Sequence, residues 1–548
     1  VNRATLSLLI TLGVLAAITG FATLRPDDSE VHTLVQDLPR PVERSTLTCP
    51  RPTAAESATT WYTGYTPPSD PVPEVEEGEQ AGSADLLPAP VYSPATDLPS
   101  DEAGDEDTGA GEDGGDGGDS DGGDSDGGDS DDEADDAGGD GGSDAAESTE
   151  PVLSLEQPGR PVTVDVEDGE EPGLSGTAEE SFAPGWTVQQ TTRVDAGPGR
   201  GLLGTACQTP DTQFWFAGAS TADNRHDYVH LTNPDDAATV VDIELYGPEG
   251  KLDSDLGEGI AVPAHRTVPV RLSTLTAEPQ PDLAVQVTAR TGRIGAEIEA
   301  VDEELGADWL NPVTAPEGRV VLPGIPANAE AVRLVAFAPG DEDITLDVGL
   351  AGPTGTITPA GNETVSLHAG TVTAVDLGNL TQGDAGSLIL TPAEGSGAGR
   401  VVAAVQVAGV GDGAQSGDLA FVPAAPPVED RATASGNIAS GTTLALTAPD
   451  EAVEVEVTVS AGAGGGEPVT ESYTVDGRTT MAIQPELPDS TEGSFALTVT
   501  TSGGPLYAAR TLLMGDEDAP TFTVQTLPDD HSAVAVPDTA QDLSVLTD

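Results

Sequence analysis

Val453-Glu-Val-Glu-Val-Thr-Val459 alternates branched apolar residues with polar ones without a break, and Val241-Asp-Ile-Glu-Leu245 and Leu346-Asp-Val-Gly-Leu350 follow the same rule. Successive side chains of an extended chain point to opposite faces. A period of two therefore gathers Val, Ile and Leu on one face and Asp, Glu and Thr on the other, as in a half-buried antiparallel strand. Such segments recur through the carboxy-terminal half between turn signals such as Gly247-Pro-Glu-Gly250, spaced roughly 8–15 residues apart. No amphipathic helical pattern follows residue 25. The chain reads as all-β.

The strands come in repeated sets. Leu231-Thr-Asn-Pro234 precedes one alternating segment and Gly247-Pro-Glu-Gly250 follows it; Phe337-Ala-Pro339 and Gly352-Pro-Thr-Gly355 frame the next, 105 residues on. Gly292-Arg-Ile-Gly-Ala-Glu-Ile298 recurs as Gly399-Arg-Val-Val-Ala-Ala-Val405, and a more divergent copy starts at Leu446-Thr-Ala-Pro449. Copies of about 85–105 residues with six or seven short strands have the size of immunoglobulin-like β-sandwiches, and they are too long for solenoid coils or propeller blades. Tandem sandwiches in a row are expected at 223–316, 317–417 and 418–520, with 521–548 supplying closing strands.

Ala4–Leu24 is an uncharged apolar stretch of 21 residues, about 32 Å as a helix and enough to cross a bilayer core. Arg3 before it favours an amino terminus held inside. Residues 1–25 are expected to form a signal anchor or transmembrane helix that contacts membrane lipid. Cleavage near Gly20 and Ala22, giving a secreted protein, is the alternative. Residues 26–41 would be a tether, and the remainder extracytoplasmic.

The chain of 548 residues suggests about three or four domains. It carries 95 acidic against 20 basic residues, a formal charge of −75, with Lys251 its only lysine. Such a charge repels phosphate backbones, so no nucleic-acid partner is expected. Residues 101–150 hold 22 Asp or Glu and no Lys or Arg. A segment of this composition has no apolar area to set against chain entropy, so 67–150 is expected to be a long disordered acidic insertion. The run lacks the periodic apolar residue of a calcium-binding β-roll and the closing Glu of an EF-hand.

Cys49 and Cys207 are the only cysteines. In an exported protein such a pair forms a disulfide, here closing a loop of about 158 residues and contributing roughly 4–5 kcal/mol on the chain-entropy model. The bond would join 42–66 to 151–222 as an amino-terminal β-module around the insertion. Thr60–Tyr65 and Gln213–Gly218 read as strands of that module, with Trp61, Tyr62, Tyr65, Trp186, Phe214, Trp215 and Phe216 as its aromatic core. Trp61, Tyr65 and Trp215 are the candidate ligand-facing aromatics, since exposed rings stack on sugars.

Catalytic chemistry is not visible. His226 and His230 have the spacing of helical zinc motifs, but on a strand they stand about 13 Å apart and cannot share an ion, so they read as surface histidines of a β-edge. His265 and His368 fall at equivalent positions of two copies, which suggests a turn role. There is no nucleophile elbow and no phosphate loop, and abundant Asp and Glu make any carboxylate pair uninformative. No metal, cofactor or catalytic residue is assigned.

The stretch Leu38-Pro-Arg-Pro-Val-Glu-Arg-Ser-Thr-Leu-Thr-Cys-Pro50 after an anchor, and Phe214-Trp-Phe-Ala-Gly218 before Leu231-Thr-Asn-Pro234, resemble an actinobacterial family of membrane-anchored exported proteins of unknown function. The resemblance covers most of the chain outside the acidic insertion. It implies an envelope location and, by association, a partner such as a membrane glycosyltransferase, and it carries no catalytic residues. A non-enzymatic binding or scaffolding role in the bacterial cell envelope is therefore expected, with an envelope protein or glycan as partner. An accessory subunit or enzyme acting on cell-wall or surface glycan is the alternative.

Overall fold

A computed structural model describes residues 38–536, except 56, 69–81, 93–149, 167–170, 255, 328, 397–398, 411–417, 464, 489–490, 492 and 516–519. The expected anchor at 1–25 and most of the tether and acidic insertion lie outside the described residues. Within them the structure is all-β, with two 3-10 turns and no α-helix, and no helix is long and apolar enough to cross a membrane.

The alternating segments are strands with the expected faces: Val453, Val455, Val457 and Val459 are buried while Glu454 and Glu456 are exposed. They assemble into four modules, the amino-terminal β-module and the three repeats, and all four share one strand order. In module IV the strands are Arg431–Ile438, Thr442–Ala448, Val453–Val459, Val469–Val475, Thr479–Ile483, Ser494–Ser502, Tyr507–Met514 and Thr521–Leu527. Numbered one to eight, they form two antiparallel sheets ordered 1-6-3-4 and 5-2-7-8. Val455 and Leu497 of one sheet share a core with Leu444 and Leu446 of the other.

Modules II (213–310) and III (320–423) repeat this order, their fourth strand divided in two: Gly250–Lys251 and Ile260–Val262, then Gly355–Ile357 and Thr364–Leu367. Module I (44–206) repeats it too. Its strands are Arg44–Cys49, Ala58–Tyr65, Ala84–Ala89, Leu153–Ser154, Val162–Val166, Gly173–Glu179, Thr187–Val194 and Gly201–Ala206. The third strand, Ala84–Ala89, lies within 67–150 and corrects the expectation of disorder there, since it pairs with Gly173–Glu179; the acidic run 101–150 falls between the third and fourth strands of a module built like the others. Cys49, ending the first strand, is bonded to Cys207, just past the eighth, so the disulfide joins the two sheets.

The modules do not stand in a row. The first strand of each packs on the 5-2-7-8 sheet of the next: Arg44–Cys49 against Gly295–Asp302, Gln213–Ala219 against Ala329–Phe337 and Val402–Val410, and Val320–Ile325 against Thr442–Ala448 and Tyr507–Met514. Arg431–Ile438 of module IV then packs on Ala58–Tyr65 and Thr187–Val194 of module I, which closes a ring. The four eighth strands meet at its centre: Gly201–Ala206 touches Gly306–Leu310, which touches Leu419–Pro423, which touches Thr521–Leu527, which returns to Gly201–Ala206. A row was the expectation because alternation describes only the core face of each sheet. The ring is made by the other faces.

Two buried carboxylates hold the centre. Asp418 accepts hydrogen bonds from the backbone N–H of Leu202 in module I (3.3 Å), Phe522 in module IV (2.7 Å) and Leu419 (2.9 Å). Asp308 accepts from the N–H of Gly204 (2.9 Å) and from the Thr523 hydroxyl (3.0 Å). Residues of modules II and III thus bridge modules I and IV, the two ends of the chain. A Cβ at Gly204 would lie 2.6 Å from the methyl of the buried Thr523, so a larger residue there would displace that side chain.

The joint between modules IV and I carries further polar ties. The Ser435 hydroxyl donates to Thr63 O (2.6 Å) and Arg510 Nη2 to Gln189 Oε1 (2.5 Å). Arg510 is fully buried among neutral acceptors, and desolvation brings its pKa down to about 9. Outside the modules, Leu38–Pro41 pairs antiparallel with Ala533–Val536 and clasps the two ends together.

Candidate functional site

The structure separates the aromatics that the sequence groups together. Trp61, Tyr62, Tyr65 and Trp186 belong to module I, whereas Gln213–Ala219 pairs with Leu283–Ala289 and opens module II. Tyr65 is buried at 3% exposure, and burial pushes its hydroxyl up to about 12 against an opposing hydrogen bond with Thr498. It has no open face for a ligand. Trp61 is half-buried on the second strand. Trp215 lies at the joint between modules II and III.

There Trp215, Tyr246 and Phe337 form one aromatic cluster, with ring centroids 5.8 Å apart for Trp215–Tyr246, 5.5 Å for Trp215–Phe337 and 4.7 Å for Tyr246–Phe337. Trp215 comes from the first strand and Tyr246 from the third strand of module II; Phe337 ends the second strand of module III. They stand at the base of a groove of about 710 Å³, where Tyr246 is half-buried, Trp215 is 8% and Phe337 1% exposed; Gln213 and Gln286, Pro339–Glu342, Gly370, Gly399 and Arg400 also line it. The Tyr246 hydroxyl donates to Glu244 (2.7 Å), which also receives Lys251 Nζ (2.6 Å). Burial and then the Glu244 charge hold that phenol well above its usual pKa, so it stays a neutral donor.

Ring closure places a related groove at the joint between modules I and II. It measures about 850 Å³, with Thr46, Asp85, Ser175 and Thr177 on its floor and Asp235, Asp236, His265 and Arg293 on its rim. Its charges are paired: Arg293 Nη2 lies 3.0 Å from Asp235, and His265 Nε2 lies 2.9 Å from Asp236. At the joint between modules III and IV, Val321, Ala351 and Ile389 are buried with Tyr507 against them, and Arg319 pairs with Asp450 at 2.9 Å. One construction is thus filled by side chains at that joint and left open at two others.

His226 pairs with Glu303 (2.9 Å) and His368 with Asp343 (3.2 Å). His230 is not on the surface: it is 4% exposed, 3.3 Å from Glu299, with its ring against Trp309 beneath module I. The strand Tyr228–Thr232 is no edge: it pairs with Thr267–Arg271 on one side and Gly295–Asp302 on the other, a pairing that spacing within the strand does not reveal. Among the described residues no three His, Cys, Asp or Glu side chains converge as a metal site would require.

What the open groove offers is the half-buried ring of Tyr246 with amide and phenol groups beside it, backed by the buried Trp215 and Phe337, a lining that suits a small-molecule or saccharide site. Sequence comparison adds one match: the model of a family of unknown function (DUF5719) covers residues 162–486, more than half of the chain, and the chain belongs to that family. No curated protein and no solved structure matches it.

Proposed function

We propose that this DUF5719 protein is a non-enzymatic, membrane-anchored binding platform of the bacterial cell envelope, and that it holds saccharide in the groove between modules II and III. The observation that carries the reading is the half-buried Tyr246 ring, backed by Trp215 and Phe337, in the open groove between modules II and III. The apolar Ala4–Leu24 segment supports the anchor. The modules are immunoglobulin-like in size and two-sheet layering, although their 1-6-3-4 and 5-2-7-8 strand orders differ from the ABED and CFG sheets of immunoglobulins. Presentation of a glycan to a membrane glycosyltransferase, as an accessory subunit, is the second reading and uses the same groove.

Titration of envelope oligosaccharides into the ectodomain should change tryptophan emission saturably, because Trp215 lines the groove in contact with the Tyr246 ring. Tyr246→Ala removes a half-buried ring that packs on the edge of the core, and should weaken binding roughly tenfold, about 1.4 kcal/mol, in a variant whose melting curve confirms that it is folded. Unaltered affinity in that variant would remove the groove from the reading.

A further inference from the structure

We propose that the groove between modules II and III selects an acidic saccharide unit through Arg400, an arginine released from the clamp that holds its counterpart in module II. The inference rests on the saccharide reading of that groove and adds the chemical class of its ligand.

Strand register fixes the correspondence. Thr232 pairs with Gly295 in module II, and Phe337 pairs with Val402 in module III. Two residues before Gly295 stands Arg293, and two residues before Val402 stands Arg400. Three residues after Thr232 stands Asp235, and three residues after Phe337 stands Gly340. In module II, Arg293 is gripped by Asp235 through Nε (3.1 Å) and Nη2 (3.0 Å). In module III the clamping carboxylate is replaced by Gly340, and Arg400 is exposed, with no ion pair or hydrogen bond among the described residues. Both Gly340 and Arg400 line the aromatic groove.

Other charges nearby narrow the ligand. Glu244 is engaged by Lys251 and Tyr246. Asp341 and Glu342 lie on the wall and disfavour a small free anion. An acidic group carried on a sugar that stacks on Tyr246 is delivered to the guanidinium by the ring contact, where it can form a charge-assisted pair. Inorganic phosphate alone is therefore not expected to bind.

The test compares a hexuronic acid oligosaccharide with its carboxyl-reduced, neutral form, using the whole ectodomain. Wild type should bind the acidic form about tenfold more tightly. Arg400→Gln should abolish that preference by weakening the acidic form about tenfold. Gly340→Asp should do the same by restoring the clamp, and it should fold normally, because a Cβ at Gly340 meets no atom within 4 Å. Equal binding of both forms by wild type, or a preference that survives in both variants, would overturn the acidic specificity alone. Failure of wild type to bind either form would overturn the saccharide reading and the specificity with it.

Discussion

A chain ended at Pro520 should lose its cooperative thermal transition. The deletion removes Thr521–Leu527, the eighth strand of module IV, in which Phe522 is 0%, Val524 1% and Leu527 5% exposed. Removing one large buried apolar side chain costs about 2–5 kcal/mol, so three together approach the 5–15 kcal/mol that typically holds a domain folded. Phe522 and Val524 also belong to the continuous core that runs through modules II and III, so the damage spreads beyond module IV. The Ala533–Val536 clasp strand is lost as well. Circular dichroism should show a broad melt, and limited proteolysis should cut early in 431–520. A sharp transition at the full-length temperature would show that the ring does not depend on its central strands.

Asp418→Ala should be among the most damaging single substitutions, at about 3–5 kcal/mol. It leaves the buried N–H groups of Leu202, Phe522 and Leu419 without their acceptor, and each buried orphan donor costs about 1–3 kcal/mol. Chemical denaturation would measure the loss, and a change below about 1 kcal/mol would contradict the assigned role. The same site predicts a pH dependence. Burial raises the carboxyl pKa of Asp308 and of Asp418 well above the ordinary range, and the Asp418 charge adds to the effect at Asp308. The folded state then holds these protons more tightly than the unfolded chain. Their contribution is full below about pH 4, where unfolded carboxyls titrate, and it is lost as pH rises through the raised folded values. Asp308→Asn combined with Asp418→Asn should therefore flatten the fall in stability above pH 4 relative to wild type. A parallel pH profile in the double variant would refute the assignment.

How much of this is legible in the sequence depends on distance. Val453–Val459 declares its strand and its faces because the information is local. The correspondence of Pro234 with Pro339 reveals two copies because nothing interrupts the spacing. The two cysteines identify their own bond. The cysteines reveal module I, but its kinship with the repeats escapes notice because the acidic run splits its third strand from its fourth, although Tyr65-Thr-Pro67 ends its second strand much as Leu231-Thr-Asn-Pro234 ends that of module II. Trp215 is misplaced for a related reason: Cys207 and Gln213 are close in sequence, and only pairing with Leu283–Ala289 shows that the strand opens the next module. Asp308 and Asp418 look like any of 95 acids until four strands converge on them. Gly340 carries meaning only beside Asp235, once register has aligned two modules.

The Leu38–Pro41 and Ala533–Val536 ladder also determines how the molecule bears mechanical load. Leu38 sits opposite Val536, so both ends of the described chain leave the ring at one point. Tension between them meets this four-pair ladder first and peels it pair by pair, starting at Leu38, while the module cores carry none of the force. Only after Pro41 parts from Ala533 does the pull reach Val42, whose N–H donates to Ser532 O (3.0 Å), and then the joint between the first and last modules. Stretching would thus open the bracelet at its fastening before it unravels any bead.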